Sequence, residues 1–161
     1  MKEKHKITKY QSGNTKTETY KDGDTSVTKH YYDAKDAYTK EIISLKNDIT
    51  EIKHFTTKGV LAKLDHFVDG KRDGQEIKYM IAKANSSVKS SKMYADGKLH
   101  GECITYNQSD TIIKHEVFAL GKLVLKYIHI DNDNIKNVEI IDKDSVENLP
   151  KIEYDKLQSY I

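Results

Sequence analysis

Tryptophan is absent from this 161-residue chain, proline occurs once, at Pro150, and cysteine once, at Cys103. With a single proline, almost every backbone N–H stays available to a sheet ladder. One cysteine excludes an intrachain disulfide and fits a reducing compartment. Charge of one sign is also lacking: 27 Lys and Arg against 25 Asp and Glu leave a net +2. Such a balance gives no global field for nucleic acid or an anionic membrane, so neither is expected as a partner. No apolar run follows the basic start MKEKHKITKY, which therefore reads as neither a signal peptide nor a membrane anchor. A cytoplasmic location is expected. The hydrophobic set is only 37% of the chain, little for a thick globular core.

What the chain has is tyrosine (eleven), glycine (eight) and 32% charged residues. That mixture suits a thin sheet with both faces largely wet. It is written as a repeat: Phe67 to Tyr79 reads FVDGKRDGQEIKY, and Tyr94 to Tyr106 reads YADGKLHGECITY. The two share aromatic-x-Asp-Gly-Lys-x-x-Gly-x-x-Ile-x-Tyr, and a repeated unit of this kind decides the architecture. Asp69-Gly70 and Asp96-Gly97 are turn dipeptides, because glycine supplies the positive φ of tight hairpins. Gly74 and Gly101 follow four residues on, where a residue without a Cβ lets the backbone turn again or approach a neighbour. Each unit thus reads as strand, glycine-bracketed loop, strand.

The pattern aromatic-x-x-Gly-Lys-x-x-Gly-x-x-x-x-Tyr resembles the MORN repeat, and more closely the bacterial variant found in antitoxins of the YwqK type. Phe67, Gly70, Gly74 and Tyr79, then Tyr94, Gly97, Gly101 and Tyr106, carry the match. Weaker echoes stand at Tyr10-Gln-Ser-Gly13, Tyr20-Lys-Asp-Gly23 and Phe118-Ala-Leu-Gly121, at irregular spacings. The resemblance implies an all-β antiparallel meander of hairpin repeats forming an elongated twisted sheet. It also implies an antitoxin or immunity protein that occludes a toxin.

Read in order, residues 1–161 form a single repeat domain. Residues 4–36 are polar strands or a partly disordered arm, with turns at Ser12-Gly13-Asn14 and Asp22-Gly23-Asp24. Residues 37–142 hold the main sheet. Within it, Ile42 to Phe55 reads as two strands about Asn47-Asp48, although Ile42, Leu45, Ile49 and Ile52 also have helical spacing. The most hydrophobic strands come last, at 111–118, 122–130 and 135–141. Residues 149–161 read as a short C-terminal helix, with Pro150 at its first position and a stripe of Tyr154, Leu157 and Ile161. That stripe is expected to cover the last sheet face or, alternatively, to dock a partner.

Catalytic machinery is not legible. No phosphate loop, nucleophile elbow or zinc spacing occurs, so no enzyme, metal or cofactor is expected. Asp131-Asn132-Asp133-Asn134 with Asp142 lacks the glycine that a calcium loop needs, since Lys136 stands there. His54, His66 and His115 read as ordinary strand histidines rather than a proton or metal site. The remaining signal is for binding a protein partner. Lys71, Arg72 and Asp73, and again Lys98, Leu99 and His100, fill equivalent loops, while Tyr79 and Tyr106 share one sheet face. The alternative to neutralisation is a structural, adaptor or host-interaction protein. It would use the same sheet for assembly, as a homo-oligomer included.

Overall fold

Asp69 (φ 49°) with Gly70 (φ 75°), and Asp96 (φ 48°) with Gly97 (φ 81°), both adopt the left-handed pairs of a primed hairpin turn. The echo at Leu120-Gly121 repeats them, at φ 50° and 93°. These turns set the architecture seen in the computed structural model, which describes residues 2–36, 38–81, 87–132 and 134–159. The chain is all-β, an antiparallel meander ending in a short helix, and it divides into two units, Met1–Lys71 and Arg72–Ile161.

The first unit holds β1 (Lys2–Lys9), β2 (Thr15–Asp22), β3 (Thr25–Tyr31), β4 (Thr39–Lys46), β5 (Ile49–Phe55) and β6 (Leu61–Val68). Each pairs antiparallel with the next. The polar stretch 4–36 is therefore sheet, and Ile42 to Phe55 is two strands rather than a helix. Buried apolar residues are few here: Tyr20 and Val27 face each other across β2 and β3. Cross-strand pairs do the holding instead, such as the hydroxyls of Thr8 and Thr17, 2.5 Å apart.

A two-residue strand, β7 (Lys71–Arg72), precedes the strands of the second unit: β8 (Gly74–Tyr79), β9 (Val88–Ala95), β10 (Lys98–Tyr106), β11 (Ile112–Ala119), β12 (Lys122–His129) and β13 (Ile135–Ile140). Strands β8 to β13 again pair in sequence. The sequence-expected loop between Gly97 and Gly101 is not a loop. Lys98 to His100 already belong to β10, and Gly101 (φ 109°) sits in a bulge between Leu99 and Cys103. A Cβ on Gly101 would lie 3.1 Å from the Cβ of Met93, so glycine is required by both φ and space.

The core of this unit lies where β11 and β12 meet the C-terminal segment. Val117, Ala119, Val124, Leu125, Tyr127, Leu149 and Leu157 form it, with Ile135, Val138 and Ile140 packed alongside. Val124 and Leu125 are both fully buried, although neighbours on a strand face opposite ways. A register shift there leaves Val124 in a bulge, and its carbonyl accepts from Ile141 N at 2.7 Å.

After β13 comes a 3-10 turn over Lys143–Asn148 and then α1, Lys151–Gln158. Pro150 stands at the N-cap, one place before the position expected, and its carbonyl accepts from Glu153 N and Tyr154 N. Of the expected stripe, Leu157 is buried, but Tyr154 does not follow. Tyr154 is 40% exposed, and Ile161 lies outside the described residues. The buried stripe is Leu149, Glu153 and Leu157, spaced four apart, with a carboxyl at its centre. No helix among the described residues is long and apolar enough to cross a membrane.

Candidate recognition site in the second unit

The repeat residues expected to meet a partner divide by what they touch. Arg72 bonds its guanidinium to the buried Glu76 and lies over the Tyr94 ring, 5.4 Å from the centroid. Its carbonyl accepts from Gly97 N at 2.8 Å, and the Asp73 carboxylate accepts from Asp96 N at 3.1 Å. The next repeat does the same. Leu99 O accepts from Gly121 N at 2.8 Å, and His100 Nδ1 accepts from Leu120 N at 3.3 Å. Arg72, Asp73, Leu99 and His100 thus hold the following turn, while Lys71 and Lys98 are exposed.

Two clefts gather the other expected positions. Tyr79 and Tyr106 both line one of about 490 Å³, with Met80, Ile81 and Lys89. Ile81 is 59% exposed. Asp73, His100, Gly74, Tyr94 and Gly101 line a second cleft, of about 420 Å³, against Pro150, Ile152 and Glu153 of the C-terminal segment. Glu102 also lines it.

Behind the second cleft runs a hydrogen-bonded chain that the sequence did not disclose. His115, buried on β11, shares one ring nitrogen with His129 Nε2 at 2.8 Å and the other with Glu102 Oε1 at 3.0 Å. Lys156 of α1 reaches the same Glu102 oxygen at 2.5 Å and lies over the Tyr127 ring, 5.3 Å from its centroid. The bond from His115, with the Lys156 bond and charge, holds the Glu102 carboxyl down at about 2. Burial, with the neighbouring His115 charge, lowers His129. Glu153 goes the other way: burial first, then the charge of Glu102, raises its carboxyl. Its Oε2 has no hydrogen-bond partner.

Glu102 therefore ties strand to helix only while ionised. Its folded value is depressed, so its contribution is present above its usual 4.5 and is lost as pH falls toward 2. Urea unfolding of Glu102→Gln between pH 6 and pH 2.5 is expected to show a flatter decline than the parent; parallel curves would refute this linkage.

The three histidines singled out from the sequence each have carboxylate company. His54 lies between Glu41 Oε1 and Asp65 Oδ2, 3.1 Å from each, and His66 Nε2 is 3.5 Å from Glu51 Oε2. Among the described residues no group of three or more His, Cys, Asp or Glu is arranged to hold a metal ion. Cys103 is buried on β10, and burial raises its thiol. Of the Asp131 to Asn134 cluster, residue 133 lies outside the described residues, and Asp131 Oδ1 accepts from Asn134 N at 2.9 Å.

Glu153 was within reach of the sequence, because it stands midway between Leu149 and Leu157 at helical spacing. Glu102 and Lys156 were not, since 54 residues separate them. Comparison with protein-family models, curated proteins and solved structures finds no match to this chain.

Proposed function

We propose that this chain is a non-enzymatic protein-binding module, of the antitoxin or immunity kind, that neutralises a protein partner by occluding it. The observation that carries this reading is the convergence of Tyr79 and Tyr106, equivalent in the two repeats, on one open cleft beside the exposed Ile81. Paired tyrosines next to an exposed aliphatic give large contact area with polar handles, the composition of interface centres. The backbone that presents them is strand, so little ordering entropy is lost on binding. The MORN-like motif supports the same reading, and the lone cysteine and near-neutral charge agree with a cytoplasmic protein that binds neither nucleic acid nor membrane.

A second reading, assembly through the sheet, is favoured by β1, the end strand of its unit, where Ile7 is 51% exposed. A tagged pull-down from the native cell, with a Tyr79→Ser/Tyr106→Ser variant checked for intact circular dichroism, separates the two. Neutralisation predicts one stoichiometric partner whose recovery falls roughly tenfold or more in the variant, a loss of over 1.4 kcal/mol. Recovery of this chain alone, as a defined oligomer by light scattering, would overturn it in favour of assembly.

A further inference from the structure

We propose that the cleft against the C-terminal helix receives a guanidinium group, an arginine side chain presented by the protein partner. The inference rests on the binding reading above and names what one of its surfaces recognises. Three carboxyl groups line the cleft, on Asp73, Glu102 and Glu153, and none of the described residues lining it is Lys or Arg. Glu102 is already paired with the Lys156 ammonium and hydrogen-bonded to the His115 ring. Asp73 accepts one backbone N–H, and Glu153 is left with an oxygen that nothing bonds.

Glu153 is the informative group. It is only 5% exposed and occupies the apolar stripe between Leu149 and Leu157. A carboxyl buried there without a partner costs free energy that an apolar residue would not. A cation supplied from outside would meet that deficit, whereas an anion would add to it. The walls suit the rest of an arginine. Met93, Pro150 and Ile152 offer apolar surface to an aliphatic stem.

Guanidinium is favoured over ammonium because it is planar, forks toward a carboxylate and stacks on aromatic rings. The chain already uses this combination on its own Arg72, which meets a buried glutamate, Glu76, and the Tyr94 ring.

The test is a titration of the full chain with Nα-acetyl-arginine amide, followed by amide chemical shifts. Saturable shifts at Gly74 and Gly101 are expected, with affinity roughly tenfold or more above that of Nα-acetyl-citrulline amide, which keeps the shape without the charge. Glu153→Gln, nearly isosteric, should abolish the difference between the two probes. Equal binding of both probes by the parent, or no saturable shift, overturns the proposal. Agmatine moving Gly101 while the capped arginine does not would give the cleft to a free organic cation, and overturn it too. In the pull-down, a partner that binds Glu153→Gln as well as the parent would sink this inference and leave the neutralisation reading intact. Absence of any partner would sink that reading, while the titration still reports on the cleft.

Discussion

Leu157→Ala is expected to cost about 2–5 kcal/mol, the range for truncating a wholly buried leucine. Leu157 is 1% exposed and packs with Val117, Val124, Leu125 and Leu149. It is also the only buried apolar side chain of α1, whose eight residues are too few to stay helical without a docked face. The loss should therefore be felt beyond the cavity itself. Amides of Lys151 to Gln158 should exchange faster, and Glu102 should lose the lysine that neutralises it. Urea unfolding gives the free energy and hydrogen exchange gives the location. A cost under about 1 kcal/mol would show that the helix is not held by this contact.

Glu153→Leu should act in the opposite direction, raising stability by about 1–3 kcal/mol at neutral pH, because it removes a buried polar group that lacks a partner. The gain should depend on pH with a defined sign. The Glu153 carboxyl is raised in the folded chain, so its protonated form favours folding below its usual 4.5 and that advantage is lost as pH rises through the folded value. Leucine escapes the penalty, so the difference between variant and parent should be larger at pH 7 than at pH 4. Equal gains at both values, or a loss at pH 7, would refute the account. A residue that lowers stability on an otherwise apolar stripe marks where function competes with packing.

The sheet was legible because its signals are local. Asp-Gly before a β-forming run specifies a primed hairpin turn whatever surrounds it, and Asp69-Gly70 and Asp96-Gly97 adopt that turn. The irregular echoes have a physical reason. Strand ends carry two kinds of connection, and the Tyr10 echo belongs to the second. There Tyr10 N bonds Asn14 O and Gly13 N bonds Tyr10 O, as Thr56, Val60 and Gly59 do again, and as Asn107, Thr111 and Asp110 do without any glycine.

The candidate site was less legible because its roles are filled by unlike residues. Aspartate and histidine share no charge or shape, yet Asp73 and His100 each accept the N–H at the head of the next turn. As sequence they resembled solvated loop residues, and only the register assigns them to scaffold. The helix begins one position later than Pro150 suggests, at Lys151. Tyrosine at 154 is the more apolar choice, but the chain enters through Pro150 in a way that turns Glu153 inward. Glu102, His115, His129 and Lys156 come together by strand pairing, which no spacing in the sequence encodes.

At the Gly97 and Gly121 hairpin turns of the second unit, the caps that link one turn to the one before it all run the same way. Gly97 leans on Arg72, Gly121 on Leu99, Asp96 on Asp73 and Leu120 on His100, always later upon earlier. Such a series has a direction, as a row of roof tiles has. A duplicated module arrives with both its support and its foothold, so a lineage can gain or shed whole modules without orphaning a donor at the joint. The terminal helix then serves as the ridge piece, and its position sets where the row stops.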